Sequence, residues 1–190
     1  KGTIWAAFGQ EGIDRISANG SRVGHWNFTQ SESKAHDPQV ANALAFDNLG
    51  GLWVAGGGRV TLYNPDSGGV LASFALTRKG SAGQIEQAWK IAVDPVRNTV
   101  WVASDGDGLW CLSRTGDAPQ HWSQKLSGPY HLPSDSLRGV AVDSRGGVWL
   151  ATDIGAIKYT GRGFIRYSHD PLDGNSLSDD DAITVFVDSR

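Results

Sequence analysis

Five histidines, a single cysteine and scattered carboxylates are the residues of this chain that could do chemistry. Metal sites place such ligands at short, regular spacings or in convergent clusters. His25, His36, His121, His131 and His169 contain no His-x-x-x-His pair, and Cys111 has no second cysteine with which to bind zinc or form a disulfide. Cys111 reads as a small apolar residue within a strand. The run Asp170-Pro171-Leu172-Asp173-Gly174-Asn175 has the composition of a calcium loop but lacks its bidentate Glu. The same residue types are those that tight turns use. Gly56-Gly57-Gly58 lacks the Lys and Ser/Thr of a phosphate loop, and there is no Gly-x-Ser-x-Gly elbow. The expectation is a chain without catalytic residues, metal or cofactor.

Residues suited to binding are better marked. Trp89 stands five residues before Asp94, and Asn42, Arg138 and Ile183 stand at the same offset from Asp47, Asp143 and Asp188. Variation at one offset within a constant frame is how a repeated scaffold carries a site. A flat aromatic, an amide and a guanidinium suit a sugar or another small polar ligand. Asn42, Trp89 and Arg138, with His131, Asp105 and Asp107, are the candidate ligand contacts.

The frame itself is a repeat. Trp5, Trp53, Trp101 and Trp149 are spaced by 48 residues each time, and Ala7, Ala55, Ala103 and Ala151 follow two residues later. Period two puts each Trp and its Ala on one face of a strand. The segments ending at Asp47, Asp94, Asp143 and Asp188 read as strands followed by a turn in which the Asp accepts backbone N–H groups. Two more strand-like runs follow each Trp strand, as in GAIKYT and GFIRYS. A unit of roughly 40–50 residues with four strands is the signature of a propeller blade. The predicted fold is all-β, a β-propeller region over 1–190 made of four blades of four strands, with repeats near 1–39, 40–87, 88–136 and 137–181. The first repeat lacks an inner strand. Residues 182–190 are expected to supply one, pairing with the strand near Thr3 to Phe8 of the same chain or of a neighbour, which would make self-association a property of this segment. The four Trp residues of the repeat are expected to be buried between sheets.

Bulk properties exclude several partners. The net charge of −3 offers no footprint for nucleic acid. The longest apolar runs, such as Ile183 to Val187, are of strand length. Met is absent, even at position 1, so the expectation is a piece of a longer chain, such as a fragment of a larger propeller.

The last repeat resembles the two-component regulator propeller repeat. Its pattern is carried here by Asp143, by Gly147-Val148-Trp149-Leu150-Ala151-Thr152, by Phe164-Ile165-Arg166-Tyr167 and by Asn175-Ser176-Leu177. An Ala stands where that family usually has Gly after the Trp strand, and the second and third repeats have diverged interrepeat loops. The resemblance implies a periplasmic sensory region of a bacterial inner-membrane receptor, recognising a carbohydrate-like ligand and feeding a histidine kinase or diguanylate cyclase. A protein-interaction scaffold is the alternative reading, and a lyase-type propeller enzyme a further one.

Overall fold

The computed structural model describes residues 2–27, 40–77, 88–104 and 106–188. They form two compact units, Lys1–Trp89 and Lys90–Arg190. In the first unit, β1 (Ile4–Ala7), β2 (Ile13–Ile16) and β3 (Arg22–Trp26) make a three-stranded sheet. A second sheet holds β4 (Ala43–Phe46), β5 (Leu52–Gly56), β6 (Arg59–Tyr63) and β7 (Val70–Ala75). The other unit has a sheet of β8 (Lys90–Asp94), β9 (Thr99–Ser104), β10 (Gly108–Ser113) and β11 (Gln120–Trp122). Its second sheet holds β12 (Leu137–Val142), β13 (Val148–Thr152), β14 (Gly155–Tyr159) and β15 (Phe164–Tyr167). Among the described residues each of these strands pairs antiparallel with its sequence neighbours in the sheet, so each sheet is a simple meander.

The four Trp strands are β1, β5, β9 and β13, and they are equivalent in register. Trp53, Trp101 and Trp149 lie opposite Ala45, Ala92 and Ala141 on the preceding strand. A small residue across the ladder leaves room for the indole. Tight turns set where the third strand of a sheet begins. Gly108 and Gly155 sit at φ +79° and +108°, and a Cβ there would lie 2.2 Å and 2.1 Å from the carbonyl oxygens of Trp122 and Tyr167. Both the left-handed backbone and the close approach demand glycine.

Each unit has its core between its two sheets. Ile13, Ala41, Leu52, Val54 and Tyr63 form it in the first, with Trp5 and Ala7 packed against them. In the second, Trp101, Ala103, Leu109 and Trp122 meet Val148, Leu150 and Ile157. Trp101 and Ala103 thus share a face, as period two requires. Burial of the repeat tryptophans is not uniform. Trp53 and Trp101 are buried, at 0% and 4% exposure, but Trp5 and Trp149 are half-buried. Trp149 is covered by Tyr167, stacked with centroids 5.4 Å apart, and by the Lys158 ammonium 4.5 Å from the ring centroid.

The expected strand at 182–190 is not formed over 182–188, and 189–190 lie outside the described residues. The Ala182 N–H donates to the Thr152 carbonyl at 2.9 Å, and the backbone of Thr184 and Val185 lies over Gly139 of β12. In the second, third and fourth repeats the inner strand gains its ladder from the Trp strand of the same sheet.

Candidate functional site

The Asp that closes each inner strand does more than hold a turn. Asp47 Oδ1 accepts the Leu49 and Gly51 N–H groups at 3.0 and 2.8 Å, and its Oδ2 accepts Trp53 Nε1–H at 3.0 Å. Asp143 repeats this with Arg145, Gly147 and Trp149 Nε1, at 3.0, 2.8 and 3.0 Å. One carboxylate thereby pins a turn and orients the indole. The backbone half of this clamp was legible in the sequence. The indole half was missed, although its signal is the constant six-residue distance from Asp to Trp in these two repeats.

Partial burial works to raise the Asp143 pKa, but the bonds from Trp149, Gly147 and Arg145 and the nearby Lys158 charge outweigh it and hold the carboxyl below its ordinary value. A depressed folded-state value means that the stabilisation is complete above the unfolded-state pKa, near 4, and is lost as pH falls through the folded value. Asp143→Asn should therefore destabilise the chain at pH 7, with the gap to the parent narrowing below about pH 4. Urea midpoints measured across that range check it; a gap that widens in acid would contradict the assignment.

The third repeat departs from the clamp. Its turn, Asp94-Pro95-Val96-Arg97-Asn98, places Trp101 seven residues after Asp94, one more than in the second and fourth repeats. Asp94, fully buried, accepts Val96 and Arg97 N–H on Oδ1 at 2.8 and 3.0 Å, and Arg97 Nη1 on Oδ2 at 2.7 Å. The same Nη1 reaches the Gly146 carbonyl at 2.8 Å. The guanidinium has taken the place of the indole, and Trp101 Nε1 is buried without a hydrogen-bond partner. Beside it lies a cavity of about 370 Å³ whose walls include Arg97, Thr99, Trp101, Cys111, Gln120 and Tyr159.

Cys111 brings no nucleophile to this cavity. Burial pushes its thiol up to about 11, against a smaller opposing effect of the Thr99 hydroxyl. The thiolate is the reactive form. Iodoacetamide at pH 8 should alkylate Cys111 about 100-fold more slowly than free cysteine, the ratio of thiolate fractions for a shift from 9.0 to about 11. A rate matching the free amino acid, followed by mass spectrometry, would contradict this.

Of the predicted ligand contacts, Asn42 and Trp89 belong to the first unit. Half-buried Asn42 donates from Nδ2 to the Ala88 carbonyl at 3.2 Å, directly before Trp89, which is 44% exposed. Arg138, at the bulge in β12, is paired with Asp181. Two of the variable positions thus reach the start of the next inner segment, which favours a structural duty for them. His131 follows a 3-10 turn (Gly128–Tyr130) and donates from Nδ1 to the Leu126 carbonyl at 3.2 Å. Asp107 is 5% exposed, and its backbone carbonyl accepts His121 Nε2–H at 2.7 Å. Asp105 lies outside the described residues, as does His36. In Lys90–Arg190, then, Arg138, His131 and Asp107 stand at or near the strand ends remote from the cavity, and each already has a protein partner.

The remaining candidates resolve as local structure. His25 bonds Asp14 at 2.7 Å, and His169 donates from Nδ1 to the Leu177 carbonyl at 2.7 Å. Asp170 and Asp173 each accept the N–H two residues on, from Leu172 and Asn175, both at 2.9 Å. These are Asx turns. Among the described residues, no three His, Cys, Asp or Glu side chains gather at a point that could hold a metal.

No family model and no curated protein sequence matches the chain. Solved structures do. The extracellular domain of the hybrid two-component system protein BT4673 from B. thetaiotaomicron matches 98% of this chain, with TM-score 0.75 and 16% identity. The chain folds as β-propeller blades. The corresponding domain of BT3049 from the same organism matches 88% of the chain, with TM-score 0.67 and 22% identity. Virginiamycin B lyase from Staphylococcus aureus matches 90%, with TM-score 0.62 and 16% identity. At these identities the likeness is one of fold. The chain spans 24% and 22% of the two extracellular domains and 53% of the lyase. The predicted all-β blade architecture is therefore observed, with three blades of four strands and a first blade of three among the described residues.

Proposed function

We propose that these blades belong to the extracytoplasmic ligand-sensing region of a bacterial signal-transduction receptor, taking a small polar ligand such as a carbohydrate and passing the signal to an output domain elsewhere in the receptor. The observation that carries this reading is the likeness of blade architecture over 98% of the chain to the extracellular domain of a hybrid two-component system. The family pattern around Trp149 supports it independently. The lyase shares the fold, but the raised thiol of Cys111, the one cysteine of the chain, favours binding over catalysis.

Two measurements test the proposal. The coding sequence around this segment should encode a membrane-spanning helix and a kinase or cyclase domain. A thermal-shift screen of the chain against mono- and oligosaccharides should raise Tm with at least one of them, because a ligand that binds only the folded state stabilises it. Flanking sequence encoding a cytoplasmic enzyme, with no sugar raising Tm, would overturn it.

A further inference from the structure

We propose that the cavity between the third and fourth blades is itself a ligand site, taking a small uncharged polyhydroxylated ring that accepts a hydrogen bond from Trp101 Nε1 and is held by Thr99 and Gln120. The proposal rests on the reading of the chain as a ligand-binding module, and it places binding at the opposite end of the strands from Arg138 and His131.

Four observations carry it. Trp101 lines the cavity at 4% exposure, and its indole N–H has no partner. An unpaired buried donor is costly, about 1–3 kcal/mol, and rare. The second and fourth blades show that this scaffold can satisfy the same donor with a carboxylate 3.0 Å away. The third blade does not, because its one-residue-longer turn gives Asp94 Oδ2 to Arg97. The cavity, of about 370 Å³, lies at the small end of the range of ligand pockets, about 300–1,000 Å³.

The lining sets the ligand class. Trp101 and Tyr159, with centroids 5.4 Å apart, supply aromatic wall for the apolar face of a ring. Arg97 is already neutralised by Asp94 and anchored to the Gly146 carbonyl, so it does not call for an anion. The remaining polar walls both donate and accept, through Thr99, Ser113, Gln120 and the Asp117 carboxylate. A ring bearing several hydroxyls matches donors and acceptors together, and its small size matches the volume.

The test follows indole N–H resonances in the full 190-residue chain labelled with nitrogen-15, assigned by Trp101→Phe and Trp89→Phe. The probes are D-glucose, D-galactose, D-xylose, L-arabinose and myo-inositol, titrated to tens of millimolar. The expected result is a saturable shift of the Trp101 resonance with at least one probe. Thr99→Val should weaken that binding by about fivefold to tenfold, the effect of one hydrogen bond. Gln120→Ala, at an exposed position, serves as a second variant that leaves the interior intact and should also weaken binding. Trp89→Ala should leave the affinity unchanged. If Trp89 moves and Trp101 does not, binding lies outside the cavity: the sensor reading stands and the cavity proposal falls. If no probe moves Trp101 or any other indole, the cavity holds water only and the proposal is likewise overturned.

Discussion

Trp53→Ala is expected to cost about 4–5 kcal/mol, measured by urea denaturation at pH 7. Trp53 is completely buried, stacks on Phe74 with centroids 6.0 Å apart and donates to Asp47. Removing it opens a cavity, deletes an aromatic contact and leaves Asp47 Oδ2 without that donor. Trp101→Ala should cost about 3–5 kcal/mol, since its ring is almost as deeply buried but its N–H is unbonded. The Phe variants separate the two terms. Trp53→Phe keeps most of the packing yet breaks the clamp, whereas Trp101→Phe removes a donor that has no partner. Trp101→Phe should therefore be milder than Trp53→Phe by about 1–2 kcal/mol. Equal costs for the two would mean that the Asp–indole bond contributes nothing.

Asp94→Ala should destabilise the chain by about 2–4 kcal/mol. Its carboxylate is fully buried, and three donors converge on it: two backbone N–H groups and the Arg97 guanidinium. The alanine variant leaves the turn amides unpaired and releases the guanidinium that also reaches Gly146 of the fourth blade. Arg97 is half exposed and can return its charge to water, so most of the loss comes from the turn. Chemical denaturation gives the number; a cost below about 0.5 kcal/mol, typical of an unconstrained surface site, would remove the turn from the structural account.

These two results would weigh the parts of one repeated device, a carboxylate that ties an inner strand to the indole of the next. Where the tie is made, in the second and fourth blades, the indole N–H has its acceptor. In the third blade, Arg97 has replaced the indole, and that blade borders the cavity. Specialisation of one repeat within an otherwise constant frame is how a scaffold of this type acquires a site without losing its fold.

Blade architecture, strand order and the equivalence of the four Trp strands were determined by the sequence alone. The reason is that meander sheets are built from local pairings, and their signals, an apolar strand, an Asp turn and a Trp-x-Ala strand, recur every 48 residues. The glycines at the start of β10 and β14 belong to the same local grammar. What lies across a sheet-to-sheet gap was not legible. Six residues from Asp to Trp close the clamp and seven do not, yet whether Arg97 or a ligand then takes the vacated role depends on where the Gly146 carbonyl stands, in a different blade. The same holds for Asn42 and Arg138: their types suggested a ligand, and only the fold revealed the Ala88 carbonyl and Asp181 beside them. Residues 182–188 have the pattern of an inner strand, but a strand exists only when its ladder is paired, and the residue pattern by itself cannot supply the partner. Local periodicity thus set the elements, while the tertiary structure decided which polar groups were left for chemistry, because hydrogen bonds between blades join residues far apart in sequence.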